Sequence, residues 1–458
     1  MSLFLRLVLC SGFAAVLAAQ SSGNLVSVEE LRHPLTGKSL RALITARDHL
    51  KSGEGERGMQ ELRDALRDPM AMPYAISMMA VEHLCAGQLE TAVGPLAPQL
   101  ELLTSVMALV PLARLLDGRR ARTGRPPKDR TAMATAFIAK SIFNLTKTRD
   151  LIDRLRVDQA LRRFCGWRRP EAVPHESKFS RAFAEFAAIQ LPQQLHAAMI
   201  EATQGERLIG HIARDSTAIP AREHIPEAVM EAKRTKKKKA AKAKKRRGKP
   251  KGAYAKVKAS ERGKRMQRQP HQALEAMLAD LPQQCDIGMK KNSEGHEQSW
   301  RGYKLHLDIA DGQIPISALL TSASVHDSQV AIPLMTLTSG RVDYLYELMD
   351  SAYDADGIHA HSRKLEHVAI IAAHSRRGTK KHSQMPKVFP SEPTPQFTPA
   401  QQERYKERTM VERVNARLKD EFGARQIRVR GAGKVMTHLM FGVLALAVDQ
   451  WLRMRQLI

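Results

Sequence analysis

"SWRGYKLHLDIADGQIPISALLTSA", residues 299–323, divides at Asp311-Gly312 into two apolar-rich runs. An Asp-Gly pair between such runs is a strong hairpin signal, so the stretch predicts two antiparallel strands. Upstream, "RLIGHIARDSTAI" (207–219) reads as a strand ending in polar residues. Downstream, a helix begins near Asp327, "VDYLYELMD" (342–350) is another strand, a helix covers about 355–365, and "HVAIIAA" (367–373) is a last strand. Helices close the chain, the last being the long apolar run "KVMTHLMFGVLALAVDQWLRM" (434–454). This order predicts a mixed α/β domain and shows no internal repeat.

The 458 residues suffice for two or three domains with proper cores. Residues from about 28 to 118 alternate apolar and polar side chains at helical spacing, giving a helical region over 1–118 whose role the sequence leaves unassigned. After the linker "DGRRARTGRPPKDR" come three runs that read as helices joined by short turns: "TAMATAFIAKSIFNL", "TRDLIDRLRVDQALRRFCGW" and "ESKFSRAFAEFAAI". They make a helical unit over 119–196, with Arg and Lys near helix ends as DNA contacts require. The mixed domain occupies 197–456, interrupted by a basic insertion at about 226–280.

That insertion dominates the charge. Between Lys233 and His271 stand 19 Lys or Arg against one acid, Glu261, so 18 of the 26 net positive charges sit there. Such a segment buries too little apolar surface to order itself, and it reads as a disordered arm that grips phosphates, with Lys236, Lys237, Lys238, Arg246 and Arg247 among its contacts. The overall charge of +26 makes a polyanion the expected partner. Four scattered cysteines without a CxxC pair argue for a reducing compartment and against structural zinc. The first 20 residues have a signal-peptide outline, but Arg6 is their only cation, and the basic arm suits a cytoplasmic, nucleoid-associated protein. No uninterrupted apolar run reaches the roughly 18 residues of a membrane span. There is no P-loop, dinucleotide fingerprint or HExxH, so no nucleotide cofactor is expected.

Two carboxylates stand where strands emerge: Asp215 in "ARDSTAI" and Asp350 in "YELMDSAYDA". A third lies in "YKERTMVERVNARLKDEF" (405–422), which has no Gly or Pro before Lys419 and reads as a single helix. At helical pitch Tyr405, Arg408, Glu412 and Lys419 share one narrow face, while Val411, Val414 and Leu418 form an apolar stripe that packs it down. Three carboxylates on two strands and a helix can hold two hard cations about 4 Å apart, as in-line displacement at phosphorus requires. Oxygen ligands favour Mg²⁺ or Mn²⁺.

These residues carry a resemblance to the DDE transposases of bacterial insertion sequences. Tyr405, Arg408, Glu412 and Lys419 meet the spacing of the group whose signature is Tyr, two residues, Arg, three residues, Glu, six residues, Lys. "RDSTAI", "GYKLHLD", "SASVHDSQ", "LMDSAYDA" and "ERVNARLKDEFG" extend the likeness, as do the helical stretches from "GRPPKDR" to "SKFSRAFAEFA", so that roughly residues 120 to 455 are covered. The resemblance implies an RNase H-like mixed sheet with flanking helices, preceded by an all-helical N-terminal domain. It places Asp215 on the first strand, Asp350 at the end of the fourth and Glu412 on the following helix, all three catalytic and metal-binding. Tyr405, Arg408 and Lys419 would contact transposon-end DNA. The implied activity is metal-dependent phosphodiester hydrolysis at terminal inverted repeats, then strand transfer to target DNA by a homodimer. A catalytically inactive DNA-binding derivative is the alternative.

Three further positions draw a reading. Asp354 reads as a helix cap or an outer acid rather than a ligand; Asp327 or Ser328 reads as the cap of "SQVAIPLM", with His326 beside it; and Lys304, on one strand face with His306, reads as a phosphate contact.

Overall fold

The computed structural model describes residues 37–52, 54–65, 97–117, 129–231, 234–235, 261–291, 296–373 and 397–456. The chain divides into two compact units, with the boundary between Thr104 and Ser105. In the first, α1 (Gly37–Lys51) and α2 (Gly55–Ala65) pack together and bury Leu43, Ala46, Met59 and Leu62. The boundary falls inside α3 (Pro98–Leu109), and α4 (Leu112–Asp117) follows.

The second unit opens with α5 (Arg130–Ile142), α6 (Thr148–Val157), α7 (Gln159–Phe164), α8 (Glu176–Ala188) and α9 (Leu191–Gln204). Asp129 starts α5 by accepting from the backbone N–H groups of Thr131 and Ala132, which satisfies two orphan donors of the first turn. The run expected as one helix from Thr148 breaks at Asp158, whose Oδ1 accepts from Leu161 N at 3.0 Å and caps α7 instead.

A six-stranded sheet follows: β1 (Ile209–Pro220), β2 (Asp286–Lys291), β3 (Glu297–Ala310), β4 (Ile314–Ser322), β5 (Tyr344–Met349) and β6 (Val368–Ile371). Helices α10 (Glu261–Arg268) and α11 (Leu274–Ala279) precede β2, α12 (Ser328–Ser339) precedes β5, α13 (Asp356–Lys364) precedes β6, and α14 (Pro399–Lys406), α15 (Met410–Asp420) and α16 (Ala432–Gln456) close the chain. The strand order is β2-β3-β1-β5-β6, with β4 on β3. β1 runs antiparallel to β3 and parallel to β5; β5 and β6 are parallel. The mixed, helix-flanked RNase H-like sheet is thus present. The β3–β4 turn is the one the sequence marked, with Gly312 at φ +79°, where a side chain would be strained.

Three expectations change. β2 was not foreseen, so Asp350 follows the fifth strand along the chain rather than the fourth. Residues 261–280, assigned to a disordered arm, include two helices. They are held by Arg265 and Arg268, which both donate to Asp280, and by Gln269, which donates to the Gln329 carbonyl on α12. The single helix expected from Tyr405 to Lys419 is α14 and α15 joined by a 3₁₀ turn, Glu407–Thr409. The arm residues Lys236, Lys237, Lys238, Arg246 and Arg247, and the first 36 residues, lie outside the described residues.

α16 unites the second unit. It packs against α5, α8, α9 and β4, and Phe441 stacks on Phe137 of α5 at 6.0 Å between centroids. It is long and apolar enough to cross a membrane, but 78% of the qualifying stretch is buried inside the protein. Its apolar length is the length of the core it fills. Behind the sheet ends, Arg214 of β1 forms a bidentate pair with Asp308 of β3, both contacts at 2.7 Å, and stands 3.7 Å from Glu347 of β5. Thr338 and Tyr344 donate to the same two carboxylates. All three charged side chains are fully buried, so the network ties three strands in one register.

Candidate active site

Asp215 and Asp350 are brought together by strand register. β1 and β5 pair in parallel through Ala213 and Leu348. Two residues further along the chain stand Asp215, inside β1 just past its last pairing with β5, and Asp350, just past the end of β5. Burial pushes the Asp215 carboxyl up to about 6, and the negative charges of Asp350 and Asp327 add to the rise; the Ser216 N–H and Lys290 oppose it. Burial also raises Asp350, with Asp327 adding to it, against the N–H of Ala352, 2.9 Å from Asp350 Oδ1, and the charges of Arg408 and Lys290. Two acids raised chiefly by burial, with neighbouring negative charge adding to it, and with oxygen donors only, fit a hard divalent cation.

Glu412 is close by in the fold but differently engaged. Its helix α15 packs against β1 and β3 through a buried stripe that includes Val411, Val414 and Leu418. The Glu412 side chain remains 56% exposed, and its Oε1 accepts from Arg408 Nη2 at 3.1 Å. Among the described residues no three His, Cys, Asp or Glu side chains are grouped so as to hold a metal ion. The two strand carboxylates are therefore assembled, and the helix carboxylate is paired with its own i−4 arginine.

The cations expected beside the carboxylates are there. Arg408 lies 5.8 Å from the Tyr405 ring centroid and senses the charges of both Glu412 and Asp215. The Tyr405 ring packs on Phe397 at 5.0 Å. Lys419 donates to Thr217 Oγ1 on β1 at 2.5 Å; its ammonium is lowered by burial first, then by Arg425 and Lys290. Across the 3₁₀ turn Arg408 and Lys419 both feel the charge of Asp215, while Glu412 is engaged by Arg408.

Lys304 is not a free phosphate contact. Its Nζ donates to Asp327 Oδ1 and to the Val325 carbonyl, both at 3.0 Å. Asp327 also accepts from Ser216 Oγ at 2.8 Å and lies 3.8 Å from His306. Burial works against its charge, but His306, Lys304 and Ser216 together hold its carboxyl below the usual range. Asp327 was expected to cap α12; its side chain makes no cap bond, and His326 Nδ1 takes that place, 3.4 Å from Ser328 N and 3.1 Å from Ser328 Oγ. Asp327 is thus a fourth carboxylate felt by Asp215 and Asp350. The sequence held one signal for it, the His326-Asp327 pair after the β3–β4 hairpin, whose first strand carries Lys304 and His306. Asp354 lies 3.3 Å from His359. Lys290 on β2 acts electrostatically on both Asp215 and Asp350, and a six-residue strand rich in Lys and Gly gave no signal for it.

Two family models match the chain. Residues 265–448 match the family described as "Transposase DDE domain", and residues 93–185 match "Transposase domain (DUF772)". The first span contains Asp350 and Glu412 and begins after β1 with its Asp215; the second runs from before α3 into α8. No curated protein and no solved structure gives a significant match.

Proposed function

The chain belongs to the DDE transposases of insertion sequences and is a DNA-binding enzyme of the nuclease and transferase class; on that premise we propose that it cuts DNA at terminal inverted repeats and joins the freed 3′-OH to target DNA. Its group is the one with the Tyr-Arg-Glu-Lys signature. Asp215, Asp350 and Glu412 would hold the divalent ions, Mg²⁺ or Mn²⁺, that DDE transposases use, two of them in this reading. Bound there, they supply activation of the attacking oxygen and charge neutralisation at the leaving oxygen. Water and then the 3′-OH are the nucleophiles, so no side chain has to bond to the DNA.

The chain's own residues prepare that chemistry. Asp215 and Asp350 are fixed by paired strands, so little motion is lost when they engage a ligand. Arg408 neutralises Glu412 and lies within reach of Asp215, so it can pass to a DNA phosphate as Glu412 joins the other two acids. Tyr405 and Lys419 line the same side and contact the transposon end. Lys304 serves by holding Asp327 in place. The helical unit at 119–196 and the arm residues Lys236, Lys237, Lys238, Arg246 and Arg247 grip duplex backbone, and a homodimer aligns two ends. The protein works in the cytoplasm, on the nucleoid.

One observation carries this reading: two raised carboxyls side by side on parallel strands, faced by a helix that presents a third carboxylate among cations. A supercoiled plasmid bearing the element's two ends tests it. Wild type with Mg²⁺ is expected to break the DNA at the repeat boundaries, and Glu412→Gln to bind without cutting. Cutting by Glu412→Gln at the wild-type rate overturns the assignment of the third ligand; no cutting by wild type with either ion overturns the proposal.

A further inference from the structure

The β2–β3 hairpin reaches past the rest of the sheet. β1 ends at Pro220 opposite Gly302, so residues 297–300 of β3 pair with β2 alone. The hairpin projects beyond the Pro220 end of β1, and Asp350 follows the same end of the parallel neighbour β5. It is stiffened where it projects: Gly288 stands opposite Trp300, a methyl at Gly288 would run into the indole, and Trp300 Nε1 donates to the Tyr303 carbonyl at 3.0 Å. The next pair outward on that face is Lys290 and Gln298, both exposed.

Lys290 has no hydrogen bond or ion pair among the described residues, yet its charge is felt at Asp215, at Asp350 and at Lys419. Lys419 lies within reach of Lys290 on one side and Arg425 on the other. Lys419 feels the like charge of Lys290 as well as that of Arg425, the latter paired with Asp420, and a phosphate between Lys290 and Lys419 would relieve their repulsion. We propose that Lys290 is a DNA-contact residue of this site, holding a backbone phosphate of the strand that crosses Asp215 and Asp350, with the β2–β3 hairpin as the stiff arm that presents it. This rests on the transposase reading. A cation that merely balanced the two acids would leave DNA affinity untouched, which separates the two roles.

The test is binding of a duplex carrying the element's terminal repeat, measured across NaCl concentrations, with cutting rates at saturating DNA. Lys290→Gln is expected to lower the slope of log affinity against log salt by about one and to slow cutting about tenfold or more. Lys290→Arg restores both. Arg363→Gln, the same loss of charge on α13 beside the opposite sheet edge, leaves the slope unchanged. A wild-type slope and rate in Lys290→Gln overturns the proposal, as does an equal loss in Arg363→Gln or failure of Lys290→Arg to restore. Lys290 is exposed, so the variants keep the wild-type melting temperature. If wild type itself neither binds nor cuts, the transposase reading fails, a result distinct from all of these.

Discussion

Arg214 and Asp215 are neighbours in the chain and serve opposite ends. Arg214 turns to the closed side of the sheet, where Asp308, Glu347, Thr338 and Tyr344 enclose it with hydrogen bonds and charge. Asp215 turns to the other side, where its nearest charged company includes two more acids. Strand alternation alone separates the two environments. On one side a guanidinium is enclosed by carboxylates and hydroxyls and the result is a fixed register; on the other, acids gather beside Asp215 and the result is a place for a cation. Function is concentrated where pairing is incomplete.

Four substitutions sharpen or break that contrast. The largest loss of stability is expected on the closed side. Arg214→Met removes the guanidinium that pairs with Asp308 and stands beside Glu347 and should cost about 3–5 kcal/mol, read by urea unfolding; a loss below about 1 kcal/mol would mean the network does not hold the register. Asp215→Asn should act in the opposite direction. The wild-type carboxyl titrates near 6 when folded and near 3.8 when unfolded, so folding binds a proton and the penalty for its charge grows as pH rises between those values. Above pH 7 the variant should gain on the order of 3 kcal/mol, and below about pH 4 nothing. Melting curves across that range check the sign. A gain at pH 4 as large as at pH 8 would remove the electrostatic cause.

Smaller effects follow. Lys304→Gln leaves Asp327 without its ammonium and should cost about 1–3 kcal/mol while leaving the salt dependence of DNA binding unchanged, the mark of a side chain engaged within the protein. Glu412→Gln breaks only an exposed i, i+4 pair, worth about 0.5 kcal/mol or less, so cutting should vanish with the melting curve almost unmoved.

Much of this was legible in the chain. The Asp-Gly turn, the apolar strands around it and Asp350 at the end of β5 are local signals that lie where the sequence put them; Asp215, read as following its strand, lies inside β1, which runs on to Pro220 against β3. That Arg408 and Lys419 come near Asp215 was legible because helical pitch is regular. The 3₁₀ turn at Glu407–Thr409 was not, since no Gly or Pro announces it. β2 escaped because six residues held by one neighbour derive their conformation from β3 rather than from their own pattern. Helix α10 escaped because its charge pattern is that of a disordered arm, and its order comes from distant partners, Asp280, 12 and 15 residues away, and Gln329 on α12. Lys304 and Asp327 are 23 residues apart, so a reading confined to each one's local surroundings gave a phosphate contact and a cap where the fold makes an ion pair.

The two strand carboxylates are the heart of the matter, and Mn²⁺ binding reads them without DNA. Electron paramagnetic resonance titration of the full chain at pH 7.5 should show Mn²⁺ bound by wild type and the strongest site lost in Asp350→Asn, whose melting curve attests an intact fold. Equal Mn²⁺ binding by the two proteins would mean that Asp215 and Asp350 do not form the cation site.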